Sequence, residues 1–183
     1  IPGIDAGHLG LAAIHSQRNH IAAALGHADR ALEIAPGAPD RGVAAGAWLL
    51  RFRLALLAGN PSQARAQLEQ ADLLMEGPEP AGAAYAAGRA AAWAEFHLAQ
   101  GDVAAAAEAV AALRLGPEAP GETLCRRLPD HLLAARLMLA QGQTAAACAR
   151  FEELAALAGS SRRMAVQIEA MVFAAVAHHV SRS

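Results

Sequence analysis

Apolar residues recur every three to four positions along nearly the whole chain, the spacing that lines one face of an α-helix. Clusters rich in Gly, Pro, Asn and Ser interrupt this pattern and mark helix ends. The predicted helices span about 5–17, 20–34, 41–58, 61–76, 81–100, 103–115, 128–141, 143–158 and 161–180. Alanine is abundant and β-branched residues are few, which favours helix over strand. The sequence therefore predicts an all-α protein of about nine helices.

Four of the predicted turns are nearly equally spaced. They begin at Asn19, Gly59, Gly101 and Gly142, so they lie 40, 42 and 41 residues apart, and an alanine follows each one five residues later. These turns are short enough to force the flanking helices antiparallel, whereas longer Pro- and Gly-containing breaks separate one pair from the next. We predict one solenoid over residues 1–183, with four helix pairs and a single terminal helix. The repeats cover about 5–38, 41–79, 81–118 and 124–159, with a partial repeat at 161–183.

Small residues flank the turns at fixed positions. Alanine lies five residues after every turn and seven residues before three of them, which lets two helix backbones approach closely. Larger residues, Leu68, Val110 and Phe151, lie nine residues after their turns and are predicted to fill the space between the helices. Because each pair would bury its apolar face only against its neighbours, stability is expected to add up along the repeats.

The second repeat carries a resemblance to tetratricopeptide repeats. The stretch from Gly59 to Ala64 (GNPSQA), followed by Leu68 and Ala71, is similar to the turn and second helix of that family. The resemblance implies a right-handed superhelix of antiparallel helix pairs with a concave face. The units here have forty to forty-two residues instead of the usual 34, which implies longer helices or longer loops.

Units of this length are similar to the helical domain of the large ATP-binding, LuxR-type (MalT-like) transcriptional regulators. Residues 131–143 (HLLAARLMLAQGQ) resemble that family's Leu-Ala-Arg-x-Leu-Leu-Ala-x-Gly stretch, and residues 168–177 (IEAMVFAAVA) resemble the helix that follows it. The family places such a sensor between an upstream ATPase and a terminal DNA-binding helix-turn-helix. The chain contains neither neighbour, so the resemblance implies a fragment, and the next turn would fall near Arg182.

The resemblance also implies a function. The chain would sense an effector or bind a partner protein on its concave face and thereby control oligomerisation of the parent activator. The effector would be a small-molecule inducer, for which an oligosaccharide is one possibility, or a peptide. The alternative is a general tetratricopeptide scaffold for protein–protein interaction outside transcription.

Candidate binding residues follow from the tetratricopeptide geometry, in which the residue six before each turn projects into the groove. Charged residues occupy three of these positions, and polar or aromatic residues lie nearby, where they could hold a polar effector by forked hydrogen bonds or stack on a sugar ring. The alternative is a solvated face with weak ion pairs and aromatic side chains that pack between repeats. The candidates are Gln17, Arg53, Tyr85, Arg89, Glu95, Arg136 and Glu169.

Histidines raise the question of a metal site. His8 and His15 share a helix face, as do His20 and His27, whereas His178 and His179 are adjacent and diverge on a helix. Neither a cysteine nor a Glu-x-x-His motif completes any of these groups. We therefore expect structural or surface histidines, no metal and no cofactor.

Catalytic chemistry is weakly represented. The chain has no lysine, which excludes a Walker A loop and a Schiff-base lysine. Asp72 with Glu69 and Glu76, and Glu152 with Glu153, are acidic groups that we interpret as solvated helix faces. We predict a non-enzyme, with any ATPase activity in a missing upstream region.

The charge and the cysteine content bear on the classes of partner and on the cellular location that the sequence predicts. The net charge is −2 with arginines and acids interspersed, so direct nucleic-acid binding is not expected. Cys125 and Cys148 are too few for a disulfide framework and are interpreted as reduced, small apolar residues. Charged residues or glutamines interrupt every apolar run before it could span a bilayer, so a cytoplasmic protein without a membrane partner is predicted.

Overall fold

A computed structural model of the chain describes residues 3–34, 41–75, 83–115 and 127–182, and within these ranges it is all-α. The helices there are α1 (Ile4–Gln17), α2 (Ile21–Ile34), α3 (Arg41–Leu57), α4 (Pro61–Met75), α5 (Ala83–Ala99), α6 (Val103–Ala112), α7 (Leu128–Ala140), α8 (Thr144–Ser160) and α9 (Met164–Val180). Each predicted helix is confirmed to within a few residues. Glu76 and Cys125 lie outside the described residues.

Each recurring turn is a helix C-cap with one residue in the left-handed conformation. The φ angles are 58° at Asn19, 70° at Gly59, 73° at Gly101 and 78° at Gly142. At the second turn the Gly59 N–H donates to the Leu56 carbonyl and the Asn60 N–H to the Ala55 carbonyl, both at 3.0 Å. The same two bonds close the other three turns, which makes all four Schellman motifs. Glycine and asparagine recur there because other side chains are strained at positive φ.

The alanine after each turn begins the hydrogen bonding of the next helix. Ala24, Ala64, Ala106 and Ala147 each donate their N–H to the carbonyl four residues earlier, at 2.9–3.0 Å. All four side chains are fully buried, as are the three alanines seven residues before their turns. Small side chains are therefore confirmed at the buried positions that the spacing identified.

The chain packs as two compact units, Ile1–Ala92 and Trp93–Ser183. In the first unit, α1 contacts α2 and α3, α2 contacts α3, and α3 contacts α4. A Cβ added at Gly46 of α3 would lie 2.9 Å from the Cδ2 atom of Leu9 on α1, so the end of the Leu9 side chain would have to shift to make room for it. Phe52 and Leu68 are the large, fully buried side chains of α3 and α4.

The second unit has an apolar core of its own. In it α6 contacts α7, α7 contacts α8 and α9, and α8 contacts α9. Leu128, Leu132, Phe151 and Leu154 form one buried cluster with alanines of α8 and α9, and the Phe151 ring stacks on Phe173 at 5.5 Å. Val110, predicted to fill its layer, is only half-buried.

A fifth turn with the same two hydrogen bonds joins α8 to α9. Arg162 has a φ of 57° and Arg163 closes the turn on the Ala158 carbonyl at 2.8 Å. The residue five positions later is Gln167 instead of alanine, and its side-chain amide would meet a Cβ at Gly159 at 2.8 Å. None of the helices in the described ranges has the length and apolar character needed to cross a bilayer.

Candidate functional site

The predicted groove residues of the first unit have different surroundings. Gln17 and Arg53 are exposed at the end of α1 and on α3. Arg89 of α5 holds Asp72 of α4 in a forked ion pair, with Nε–Oδ1 at 2.6 Å and Nη2–Oδ2 at 3.0 Å. The Tyr85 side chain lies outside the described residues. Arg89 therefore links two helices, whatever else it binds.

The prediction that Asp72 lies on a solvated helix face is wrong. Its side chain is only 16% exposed beneath Arg89, so it is not the solvated carboxylate that the sequence predicted. Glu69, in contrast, is exposed as expected and pairs with Arg65 one turn earlier at 2.9 Å. The difference arises because Asp72 faces α5, a neighbour that helix periodicity within α4 cannot reveal.

Two predicted residues of the second unit come together. Arg136 of α7 and Glu169 of α9 are 3.7 Å apart, an ion pair too long for a hydrogen bond. The Arg136 guanidinium lies over the Phe173 ring, 4.9 Å from its centroid. Glu95 is half-buried on α5. A small polar and aromatic surface is thus formed by Arg136, Glu169 and Phe173. Its cation, the Arg136 guanidinium, is held only loosely.

One face of α9 is apolar and open to solvent. Its side chains are 44–61% exposed and recur at intervals of three, four and eight residues. We call this the α9 apolar face; it consists of Met164, Ile168, Met171, Val172, Val176 and Val180. Sequence reasoning predicted a terminal helix without a partner but did not identify this face, although apolar residues on both sides of the helix indicated it.

The α9 apolar face matches a buried face of α7 in register. Four positions of α7 are buried, three of them in the core cluster; they are Leu128, His131, Leu132 and Ala135. Forty residues later, the corresponding positions are exposed on α9; they are Ile168, Met171, Val172 and Ala175. The forty-residue repeat therefore gives α9 the same type of surface as α7. On α7 another helix covers this surface, whereas on α9 it is exposed.

The histidines of α1 and α2 form a cluster across the first helix pair. The Nδ1 atoms of His8 and His27 are 3.0 Å apart, and those of His15 and His20 are 3.4 Å apart. The rings of His15 and His27 stack at 5.3 Å. The predicted face-sharing pairs therefore meet each other, but their nitrogens approach in twos rather than converging on one point.

A second cluster joins α8 to α9. The Cys148 Sγ lies 3.1 Å from the His178 Nε2, which lies 2.9 Å from the Glu152 Oε1. Burial raises the pKa of the Cys148 thiol, and the charge of Glu152 and its hydrogen bond raise it further. Sequence reasoning treated Cys148 as an inert apolar residue and dismissed His178. The available signal was the four-residue spacing of Cys148 and Glu152 on one helix face.

This Cys–Glu–His cluster is unsuited to nucleophilic catalysis. A catalytic thiol needs a lowered pKa and a base whose other ring nitrogen is held by a third group. Here the pKa of Cys148 is raised, and Glu152 contacts the same Nε2 of His178 as the thiol does. The arrangement brings three ligand-type atoms together without activating any of them.

Comparison with known proteins identifies no relative. No protein-family model matches the chain, and neither a curated protein nor a solved structure is significantly similar to it.

Proposed function

We propose that this chain is the effector-sensing and protein-interaction module of a LuxR-type regulator, built as a tetratricopeptide-like right-handed superhelix, and that it controls self-association of the parent activator. The recurring Schellman turns at spacings of 40–42 residues support the repeat. The helix contacts within each unit support it too, because α1 touches both α2 and α3, and α7 touches both α8 and α9. The module is cytoplasmic and non-enzymatic, and it does not bind nucleic acid itself.

The observation that carries the proposal is the α9 apolar face. An exposed, mostly apolar surface is typical of an interaction site. This one, in which the exposed Glu169 and His179 also lie, repeats in register a face that α7 buries. Its occupant is a second copy of the chain, with the two α9 helices packed against each other about a two-fold axis. Such an isologous contact requires one surface that is complementary to itself, and side chains at intervals of three and four residues supply it.

Sedimentation velocity over a range of protein concentrations tests this contact. The chain is expected to associate as its concentration rises, and Val172→Glu is expected to keep it monomeric because a carboxylate would be buried in the apolar contact. Leu73→Glu is the matched control, since Leu73 is similarly exposed but lies on α4. Wild-type protein that stays monomeric, or a Val172→Glu variant that associates normally, would refute the contact.

The effector-binding part of the proposal rests on Arg136, Glu169 and Phe173. The guanidinium lies over an aromatic ring and is held by its acidic partner only at 3.7 Å, so it can turn toward a polar ligand. Maltotriose is the probe, with tryptophan fluorescence as the signal, because Trp93 lies half-exposed on α5 of the same unit. We expect a spectral change that Arg136→Ala abolishes and that Arg65→Ala, an exposed arginine of α4, leaves intact. An unchanged wild-type spectrum would count against the oligosaccharide class without excluding it.

The general scaffold remains the second candidate, and the α9 apolar face is equally consistent with it because that face requires no effector. The gene that encodes the chain separates the two candidates. An upstream phosphate-binding loop with a downstream helix-turn-helix supports the regulator, whereas a gene that encodes neither supports the scaffold.

A further inference from the structure

Three side chains direct potential metal-ligand atoms to one point between α8 and α9. Cys148 and Glu152 are one turn apart on α8, so they share a helix face, and His178 reaches them from α9. The Sγ–Nε2, Nε2–Oε1 and Sγ–Oε1 distances are 3.1, 2.9 and 3.7 Å. Among the described residues, these are the ones whose three ligand atoms all lie within 4.8 Å of one another.

Hydrogen bonding alone does not satisfy this cluster. The His178 Nε2 carries either one hydrogen or one lone pair, so it can donate to Glu152 or accept from the thiol, but not both. The thiol hydrogen can point to only one of its two neighbours. At most two of the three contacts therefore contain a directed hydrogen, and the third contact has none. A cation bound to all three atoms removes this deficit.

We propose that Cys148, Glu152 and His178 form a zinc site that cross-links α8 and α9, with water as the fourth ligand. Thiolate, imidazole and carboxylate are the side chains that bind Zn²⁺ in proteins. Usual zinc–ligand distances in a tetrahedron give ligand–ligand edges of about 3.4–3.6 Å, within about 0.5 Å of the separations here. Glu152 and His178 are 59% and 51% exposed, which leaves an open path for the ion and for water.

The site is independent of the proposed function, since it uses neither the α9 apolar face nor Arg136. Binding exchanges the Cys148 thiol proton for the metal, so one proton leaves for each ion bound. Because the ligands come from two helices, the ion stabilises the folded state by its binding free energy. It would hold α9 in the position that presents its apolar face.

Titration of the metal-free chain with Co²⁺ tests the proposal, because cobalt replaces zinc in such sites and a bound thiolate gives a near-ultraviolet charge-transfer band. We expect a band that saturates at one equivalent and disappears when Zn²⁺ is added. The histidine cluster of α1 and α2 can also attract Co²⁺, but it contains no sulfur and cannot produce this band. The signal is thus specific for a cysteine site.

Variants assign the ligands. Cys148→Ser is expected to abolish the band, and Cys125→Ser and His179→Gln are the matched controls that keep it. His178→Gln and Glu152→Gln are expected to weaken binding at least about tenfold, since losing even an outer-shell partner costs roughly 10–100-fold. Both of these side chains are exposed, so the variants test the site even if Cys148→Ser unfolds. No band in the wild type, or wild-type affinity in His178→Gln, would overturn the proposal.

Discussion

The α1–α2 pair and the α7–α8 pair have the same type of turn but differ in their cores. Counted from the turn, the positions at −7, +5, +9 and +12 are buried in both pairs. In the first pair they are all alanine; they are Ala12, Ala24, Ala28 and Ala31, which we call the alanine seam. In the α7–α8 pair they are Ala135, Ala147, Phe151 and Leu154. In both pairs the alanines at −7 and +5 bring the helices together near the turn. The residues at +9 and +12 determine how much side-chain volume is packed farther from the turn.

This difference has an energetic consequence. Burial of a phenylalanine or leucine side chain stabilises a fold by about 1.5–3 kcal/mol, and alanine contributes much less. The first pair therefore depends on close backbone approach, whereas α7 and α8 depend on large side chains. Because repeat units contribute roughly additively to stability, the α7–α9 region is expected to withstand more denaturant than the first pair.

Removal of the largest core side chain of α8 should give the greatest loss. Phe151→Ala leaves a cavity beside Leu154 and beneath the stacked Phe173 ring, at an expected cost of about 3–5 kcal/mol. Urea denaturation monitored by circular dichroism measures this change. Phe173→Ala is the control, and a smaller loss is expected because Phe173 is only half-buried. A Phe151→Ala variant with nearly wild-type stability would show that large side chains do not carry this region.

The alanine seam should reject added volume. Ala28→Leu places on α2 the residue that α4 carries at the same position, Leu68, but the first pair has no space for it if its helices are closer. We expect a loss of about 1–3 kcal/mol, similar to that of Ala147→Leu. Denaturation of both variants provides the measurement. If Ala28→Leu were stabilising, the first pair would contain unused space, and the contrast between the two pairs would be one of side-chain size alone.

The turns have the same geometry in both regions, so the cost of a substitution should depend on how well the new residue tolerates positive φ. Gly142→Ala forces a Cβ into the left-handed conformation and is expected to cost about 1–2 kcal/mol. Asn19→Gly should be close to neutral, since asparagine already tolerates φ = 58° and glycine tolerates it better. Thermal denaturation of the two variants tests this. A large loss in Asn19→Gly would mean that the asparagine side chain, rather than the backbone, holds the first turn.

The sequence predicted local features well because local features depend on nearby residues. The four turn residues and the alanines five positions later were found from spacing alone, and the structure explains both by one C-cap motif. Contacts between helices were harder to foresee. The Arg89–Asp72 pair and the Cys148–His178 contact join residues 17 and 30 positions apart, and their formation depends on how α4 meets α5 and α8 meets α9.

The same limit explains the outcome for the groove candidates. Arg136 and Glu169 were both selected from the sequence, but their contact with each other and with Phe173 required the packing of α7 against α9. The α9 apolar face was hidden for a different reason. Its residues look like core residues in the sequence, and only the arrangement of the neighbouring helices shows which of the apolar residues are covered.

The smallest expected effect is a difference in stability between variants of two ion pairs, Arg89–Asp72 and Arg136–Glu169. Arg89 forms two hydrogen bonds to a largely buried carboxylate, whereas Arg136 approaches an exposed one at 3.7 Å. Both guanidinium groups are in contact with solvent, so each pair contributes under about 1 kcal/mol. Arg89→Gln should nevertheless destabilise more than Arg136→Gln, because it leaves Asp72 with less hydrogen bonding in a site that water reaches poorly. Denaturation at low and high salt measures both. Equal losses would mean that the burial of Asp72 does not strengthen its ion pair.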